Sequence, residues 1–204
     1  MSALFLVRHG ESEWNREGRI QGQAESPLTE RGIEQAHVIG GHLRTVLAGQ
    51  RLDVYASPLS RAVQTAAVIC VHLEHPVSEI RRDNRISDFN LGVLSGYRGW
   101  ALVERDYPEL ARTRLEDPHA FHPPGGESGA EVMHRVGQFL ADLPADGATL
   151  VVCHGVINKF IRSVRRGITG PGIIALGEGQ YTVYRLDGVQ ESEIELRAQL
   201  QVPT

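Results

Sequence analysis

The sequence is poor in residues on which several classes of protein depend. Its 204 residues include two cysteines and two methionines, and aromatic residues make up only 6%. Cys70 and Cys153 are too few for a disulfide framework or a zinc-binding cysteine cluster. No basic region precedes an apolar stretch at the N-terminus, so the sequence predicts no signal peptide. Both features are typical of a reducing compartment, and we expect a cytoplasmic protein.

Long apolar runs and an excess of positive charge are missing too. The longest apolar runs, residues 3–7 and 150–153, are far too short to cross a bilayer. Lys and Arg number 21 against 25 Asp and Glu, which gives a formal net charge of −4 without any basic block. Nucleic acids and anionic membranes attract clustered cations. We therefore expect neither of them as a partner.

What remains is the composition of an ordinary globular protein, with 41% hydrophobic and 23% charged residues. A chain of this length can bury a sizeable core. No linker or repeat divides it, so we expect a single domain over residues 1–204. The sequence has no distinctive interface pattern, which leaves a monomer and a homodimer both open.

Apolar runs alternate with amphipathic segments along most of the chain. Residues 3–7, 52–56 and 149–153 are predicted strands, and each is followed by a segment with helical spacing of apolar residues. Residues 180–186 and 193–196 are predicted closing strands. This alternation predicts an α/β fold, a three-layer sandwich with a mostly parallel central sheet flanked by helices.

The middle of the chain is less regular. Residues 77–99 predict one strand and loops, and residues 100–115 predict two short helices separated near Pro108. Residues 117–126 contain three prolines and two glycines, which predicts a loop. We expect residues 97–126 to form a small cap of loops and short helices.

Two of the predicted strands end in the same dipeptide, His-Gly, at residues 9–10 and 154–155. Ligands of open α/β sheets bind beyond the carboxyl ends of the strands. A third strand ends just before the helix that contains Arg61. A single histidine after a strand is more often structural, but the repetition favours a functional interpretation. The expected pocket contains two arginines and two histidines that suit a dianion such as a phosphate ester: Arg8, His9, Arg61 and His154.

Five segments, in order, resemble the motifs of the histidine phosphatase superfamily, the phosphoglycerate-mutase-like proteins. They cover nearly the whole chain: RHGESEWN at residues 8–15, RIQG at 19–22 with SPLTERG at 26–32, SPLSRAVQTA at 57–66, GES at 126–128 and VCHG at 152–155. The resemblance implies a phosphoryl-transfer enzyme that needs no metal ion and no other cofactor.

The resemblance assigns His9 as the nucleophile that forms a phosphohistidine, which water then hydrolyses. This chemistry needs a neutral imidazole with one nitrogen free and the other holding its proton against a fixed acceptor. Arg8, Arg61 and His154 match the residues that bind the transferred phosphoryl group. Asn15 matches a further polar contact, although a loop residue of this type can equally serve as a local hydrogen-bonding group.

A general acid must protonate the leaving group. The segment ISDFNLG at residues 86–92 aligns with the family segment that commonly has glutamate, which places Asp88 at the acid position. Aspartate is one methylene shorter, and Asp88 can alternatively be a turn residue. The resemblance also places Gln21, Gly22 and Glu127 near the substrate.

The leading hypothesis is a metal-independent phosphomonoesterase of the histidine acid phosphatase type that acts on a small phosphorylated metabolite. The first alternative is a phosphoglycerate mutase, but residues 96–126 lack the longer basic insertion of the mutases. The second is a non-catalytic, phosphoester-binding regulatory domain, which only the aspartate at position 88 favours. The cap contains the residues expected to meet the leaving group: Arg98, Trp100, Arg112, Arg114 and His122.

Overall fold

The computed structural model describes residues 3–196 and contains a six-stranded sheet with helices on both faces. The strands are β1 (Ala3–Arg8), β2 (Leu52–Ala56), β3 (Arg81–Arg82), β4 (Ala148–Cys153), β5 (Thr182–Asp187) and β6 (Gln190–Glu195). The α-helices are α1 (Glu13–Arg16), α2 (Glu30–Val46), α3 (Ser60–Leu73), α4 (Trp100–Asp106), α5 (Pro108–Glu116), α6 (Gly129–Ala141), α7 (Gly155–Arg166) and α8 (Pro171–Ala175). Three short 3₁₀ helices comprise Val77–Glu79, Asn84–Ile86 and Gly92–Leu94.

The strand order is β3-β2-β4-β1-β5-β6. The first four strands are parallel, and β5 and β6 add an antiparallel hairpin at the far edge. The six residues of the central strand β4 are all buried, as expected for a parallel strand covered on both faces. The predicted α/β fold with a mostly parallel sheet is therefore confirmed.

Side chains of β1 alternate between two hydrophobic cores. Phe5 and Val7 belong to the core formed with α2 and α3, whereas Leu4 and Leu6 belong to the core formed with α6 and α7. Successive side chains of a strand point to opposite faces of its sheet. Because both faces of β1 are covered in this way, the structure has the three predicted layers.

Side-chain caps begin two of the long helices. The hydroxyl of Thr29 accepts a hydrogen bond from the Gly32 amide at the start of α2. Ser128 and Glu131 form a capping box at the start of α6. Each cap satisfies amides that the first turn of a helix leaves unpaired.

A close approach of two backbones holds the end of β1 against α2. A Cβ added to Gly10 would lie 2.2 Å from the carbonyl oxygen of Gly32, and one added to Gly32 would lie 2.1 Å from that of Glu11. Only glycine permits this approach. The contact determines the position of the residues that directly follow β1.

The structure differs from the prediction mainly in its short elements. Residues 77–99 contain the two-residue strand β3 and all three 3₁₀ helices, and the four-residue α1 and five-residue α8 were not predicted. Segments this short do not show a periodic pattern of apolar residues, which is the signal that predicts helices and strands. The last strand begins at Gln190, before the predicted residue 193. Helices α4 and α5 form the expected cap. No helix within residues 3–196 is both long and apolar enough to cross a membrane.

Candidate active site

A cavity of about 300 Å³ lies beyond the carboxyl ends of β1 and β4, under the cap. We call the part lined by Arg8, His9 and Asp88 its inner end, and the part lined by the cap residues Trp100, Arg114, Pro118 and Phe121 its outer end. The rest of the lining includes both polar and apolar side chains, among them Arg19, Glu178, Ile20, Phe89, Leu91, Val156, Phe160 and Ile174. The cavity at the predicted meeting of strand ends is thus lined by both polar and apolar groups.

The imidazole of His9 is fixed by its neighbours at both ring nitrogens. Its Nδ1 lies 2.7 Å from the carbonyl oxygen of Gly10, which can only accept, so Nδ1 holds the proton. Its Nε2 accepts a hydrogen bond of 3.3 Å from Arg61 Nε and therefore presents a lone pair. Burial, and then Arg61 and Arg8, hold the pKa of His9 well below its usual value. His9 is therefore a neutral imidazole with Nε2 free of a proton.

Arg61, in the first turn of α3, is completely buried. Its guanidinium donates to the carbonyl oxygens of Gly22 at 2.7 Å and Ala24 at 2.8 Å. It also donates to Asp88 Oδ2 at 3.2 Å. With these partners and His9, the planar guanidinium has a single orientation. Two neutral carbonyls and two candidate catalytic groups surround one buried cation.

His154 lies next to His9, with 5.2 Å between the ring centroids. Its Nε2 is 2.8 Å from the hydroxyl of Ser57, and its Nδ1 is 3.4 Å from Arg61 Nη2. Because an arginine only donates, Nδ1 accepts and Nε2 donates to Ser57. Burial, and then His9 and the two arginines, lower the pKa of His154 well below its usual value. Both histidines are therefore neutral; His9 lines the cavity, whereas His154 and Arg61 contact His9 and are not among the lining residues.

Arg8 is the last residue of β1, and its side chain lines the cavity. Its Nη1 donates to the carbonyl oxygen of Glu178 at 2.8 Å, which ties the loop before β5 to the site. Gly155, the first residue of α7, lines the cavity beside Arg8. A helix N-terminus attracts anions, so the cation and the helix favour the same type of ligand.

Asp88 lies in the irregular segment between two 3₁₀ helices, and its side chain is 13% exposed. Its Oδ1 accepts from the Phe89 amide at 2.9 Å, and its Oδ2 is 3.5 Å from His154 Nδ1. Burial raises the pKa of Asp88 to about 6, against the opposing effect of Arg61. A carboxyl group with this pKa can hold a proton close to neutral pH.

The other predicted contact residues are divided between the cavity and its surroundings. Asn15, Gln21 and Gly22 line the cavity. The side chain of Asn15 also completes the capping box of α1 with Ser12, so its local hydrogen-bonding use is realised. Glu127 is not among the lining residues; its carboxylate pairs with Arg135 at 2.7 Å.

Two of the five cap residues expected to meet the leaving group line the cavity. They are Trp100 and Arg114, and the guanidinium of Arg114 lies 3.8 Å from the centroid of the Trp100 ring. The other three lie outside the cavity wall: Arg98, Arg112 and His122.

Sequence reasoning missed several residues that hold the site together. Thr65 accepts from the Gly10 amide at 3.1 Å, and Ser57 and Glu178 contact His154 and Arg8 as described. Arg135 donates to the backbone around Asp88. Thr65 and Ser57 lie inside a recognised motif, but Glu178 and Arg135 are far from any motif. No local signal identifies them.

Comparison with known proteins places this site in a family. The profile of the histidine phosphatase superfamily (branch 1) matches residues 4–192. The chain belongs to this superfamily. As a histidine phosphatase it is a phosphoric monoester hydrolase. Within residues 3–196, no three His, Cys, Asp or Glu side chains are grouped so that they could hold a metal ion.

Curated relatives of this histidine phosphatase include enzymes with different names. Phosphoserine phosphatase 1 of Hydrogenobacter thermophilus is 40% identical over 144 residues, which are 70% of this chain and 64% of that protein. The chain thus spans less than two thirds of that relative's length. A probable phosphoglycerate mutase, GpmB of Salmonella paratyphi C, is 35% identical over 95% of this chain and 87% of its own.

Solved structures share the whole fold of this histidine phosphatase. A mycobacterial glucosyl-3-phosphoglycerate phosphatase in complex with VO3 has a TM-score of 0.78 at 25% identity, over 98% of this chain and 100% of the other. YhfR of Bacillus stearothermophilus has a TM-score of 0.77 at 28% identity, over 94% and 95% of the two chains.

Proposed function

We propose that this protein hydrolyses a small phosphorylated metabolite through a covalent phosphohistidine on His9. One observation supports this proposal most directly. A neutral imidazole with a free Nε2 and a carboxyl group of raised pKa line the same end of one cavity, and both contact Arg61. These are the nucleophile and the general acid that hydrolysis of a phosphate monoester needs.

In the first step, His9 Nε2 attacks phosphorus. A nitrogen–phosphorus bond forms while the bond from phosphorus to the leaving oxygen breaks. Asp88 gives its proton to that oxygen, so the product leaves as an alcohol. The Nδ1 proton stays on the imidazole in its hydrogen bond to the Gly10 carbonyl, which stabilises the positive charge that develops on the ring.

Arg8, Arg61 and His154 stabilise the charge on the transferred group. Stabilisation of the phosphoryl oxygens is the main contribution that a protein makes to this reaction. Arg61 suits this task because its carbonyl partners already hold it in place, so little reorganisation is needed. The two arginines supply positive charge that other phosphatases take from metal ions.

In the second step, water attacks the phosphohistidine. Asp88, now a carboxylate, accepts a proton from the water as the nitrogen–phosphorus bond breaks. Inorganic phosphate leaves, and His9 and Asp88 return to their starting protonation states. Each turnover thus consumes one water and releases one alcohol and one phosphate.

The outer end of the cavity favours a small organic leaving group. A volume of about 300 Å³ and a wall of mixed polar and apolar side chains suit a compact metabolite better than a phosphorylated protein segment. The relatives named as phosphoserine and glucosyl-3-phosphoglycerate phosphatases support the same class of substrate. The proposal includes a cytoplasmic location, which agrees with the two free cysteines, Cys70 and Cys153.

A phosphoglycerate mutase is the second candidate, because a relative with this name matches 95% of the chain. A mutase returns the phosphoryl group to bound product, whereas a phosphatase gives it to water. A screen of phosphorylated metabolites that includes phosphoserine and 3-phosphoglycerate distinguishes them. We expect free phosphate; isomerised 3-phosphoglycerate without phosphate release would favour the mutase, and no turnover of any compound would favour a non-catalytic domain.

Trapping the intermediate tests the mechanism. A phosphoryl group on an imidazole nitrogen is stable in alkali and labile in acid, unlike a phosphoserine. Labelled substrate quenched during turnover into alkaline denaturant should leave its label on the peptide that contains His9. Label on Ser57, Cys153 or His154 would contradict the mechanism, and His154→Ala should weaken labelling of His9 without moving it.

A further inference from the structure

The segment that contains Asp88 has little regular structure to hold it. Residues 87–91 lie between the 3₁₀ helices Asn84–Ile86 and Gly92–Leu94, and they belong to neither a helix nor a strand. A general acid must stay within hydrogen-bond reach of the leaving oxygen. The position of its carboxyl group therefore depends on whatever fixes the backbone of this segment.

Arg135, on α6, binds that backbone directly. Its Nη1 donates to the carbonyl oxygens of Arg85 at 2.7 Å and Ser87 at 2.9 Å, and its Nη2 donates to that of Asp88 at 3.3 Å. The remaining two hydrogens bind the carboxylate of Glu127, at 3.1 Å from Nε and 2.7 Å from Nη2. A guanidinium has five N–H groups, and all five are used here.

Glu127 extends the same attachment to the other side of Asp88. Its Oε1 accepts from the Asn90 amide at 2.8 Å, and its own amide donates to the Asn90 carbonyl at 3.0 Å. The side chains of Glu127 and Arg135 are 18% and 16% exposed, so water competes little for these bonds. The ion pair thus holds the backbone both before and after Asp88.

We infer that Arg135, together with Glu127, is a positioning residue that holds the general acid Asp88 in its reactive place. The inference rests on the proposed function, because it takes Asp88 as the acid. It assigns Glu127 a task different from the substrate contact that the motif implies. Charged hydrogen bonds to several backbone groups fix the conformation of residues 87–91, as backbone hydrogen bonds fix a helix or a strand.

The test uses two substrates whose leaving groups differ in their need for a proton. Arg135→Lys keeps the positive charge but loses the planar fork. We expect kcat/KM for an alkyl phosphate, which reports formation of the phosphohistidine, to fall by about 10- to 100-fold, since a displacement of 1 Å can cost this much. The kcat/KM of p-nitrophenyl phosphate should fall by less than about threefold, because its leaving oxygen hardly needs protonation.

A double variant separates positioning from a general loss of structure. In an Asp88→Asn background, Arg135→Lys should add little to the loss on the alkyl phosphate, because residues that act as one unit are not additive. Arg166→Lys is the matched control. It weakens a partly buried ion pair with Glu191 at the end of α7 and should affect neither substrate.

Glu127→Gln gives a second measurement that does not depend on whether Arg135→Lys folds. A positioning task predicts a lower kcat for the alkyl phosphate with KM nearly unchanged, whereas a substrate contact predicts a higher KM. An equal loss on both substrates, an additive double variant, or a rise in KM alone would overturn the inference. Failure of the proposed function is distinguishable, since the unaltered enzyme would then release no phosphate or Asp88→Asn would affect both substrates equally.

Discussion

At its inner end the cavity is lined by polar side chains with fixed partners, whereas at its outer end it is lined by Arg114 and three apolar side chains of the cap. His9 and its partner Arg61 are buried and hydrogen-bonded to backbone carbonyls. Arg114 at the outer end stacks on Trp100, and no ion pair links it to another side chain within residues 3–196. From this contrast we expect the inner end to determine the reaction and the outer end to determine which substrate undergoes it.

The largest effect is expected at His9. His9→Ala should reduce hydrolysis of every phosphate monoester by about 10⁴-fold or more, because no other group supplies the attacking nitrogen. Among residues 3–196 its side chain bonds only to Gly10 and Arg61, so the fold should persist. Steady-state rates and circular dichroism check both statements, and a folded variant that keeps more than a tenth of the activity would contradict the assignment.

Asp88 should have a smaller effect that depends on the leaving group. Asp88→Asn should lower kcat/KM, which reports formation of the phosphohistidine and not its hydrolysis, by about 100-fold for alkyl phosphates, the usual contribution of general acid catalysis. The kcat/KM of aryl phosphates should fall much less, since their oxygens leave without protonation. Values of kcat/KM for a series of leaving groups with different pKa measure this, and an equal loss across the series would reject the acid.

The pH dependence follows from the same carboxyl group. Asp88 acts in its protonated form, and burial raises its pKa to about 6, so kcat/KM for an alkyl phosphate should fall about tenfold per unit as pH rises above this value. The pKa of His9 is well below its usual value, so loss of the neutral nucleophile occurs only at a much lower pH. The pH profiles of kcat/KM should be compared for the unaltered enzyme and Asp88→Asn on the same substrate, because the ionisation of its phosphate then affects both profiles equally. If kcat/KM of Asp88→Asn still falls above this pH, the fall belongs to another group.

At the outer end we expect an effect on binding rather than on chemistry. Arg114→Met should raise KM about tenfold for a substrate with a carboxylate, such as phosphoserine, because a charged hydrogen bond is lost. The KM of p-nitrophenyl phosphate should stay nearly unchanged. Arg112→Met is the matched control, since Arg112 lies on the same helix outside the cavity wall and pairs with Glu109. Equal KM values for both variants would show that the outer end does not select anions.

The smallest expected effect concerns metal ions. Activity should survive exhaustive chelation, because Arg8 and Arg61 supply the positive charge at the phosphoryl group. Vanadate should inhibit the enzyme by imitating five-coordinate phosphorus at the same residues. Activity that disappears with chelator and returns only with a divalent metal would show that the cationic side chains are insufficient.

The sequence predicts the inner end better than the outer end. Apolar strands that end in His-Gly place His9 and His154 at one edge of the sheet, and Arg61 follows a third strand end. The backbone pattern alone brings these residues together, since parallel strands end on one side. In the cap, by contrast, the sequence proposed five contact residues, and only Trp100 and Arg114 line the cavity.

The missed residues share a physical reason. Arg135 lies on α6 at 47 positions from Asp88 in sequence, and three of its five hydrogen bonds are to backbone carbonyls, which have no side-chain signature. Glu178 reaches Arg8 through its own carbonyl across 170 positions. Contacts of this kind depend on how helices pack on the sheet, and residue identity does not encode them locally.

The amino-acid sequence by itself determined the layered α/β fold, the meeting of its strand ends and the candidate reaction. It did so because the period of apolar residues reports which faces are buried, and because parallel strands place the motif residues that follow them at one edge of the sheet. Only the tertiary structure decided the protonated nitrogen of His9, the raised pKa of Asp88 and the attachment of its segment to Arg135. These properties arise from burial and from partners distant in sequence, which exist only once the chain has folded.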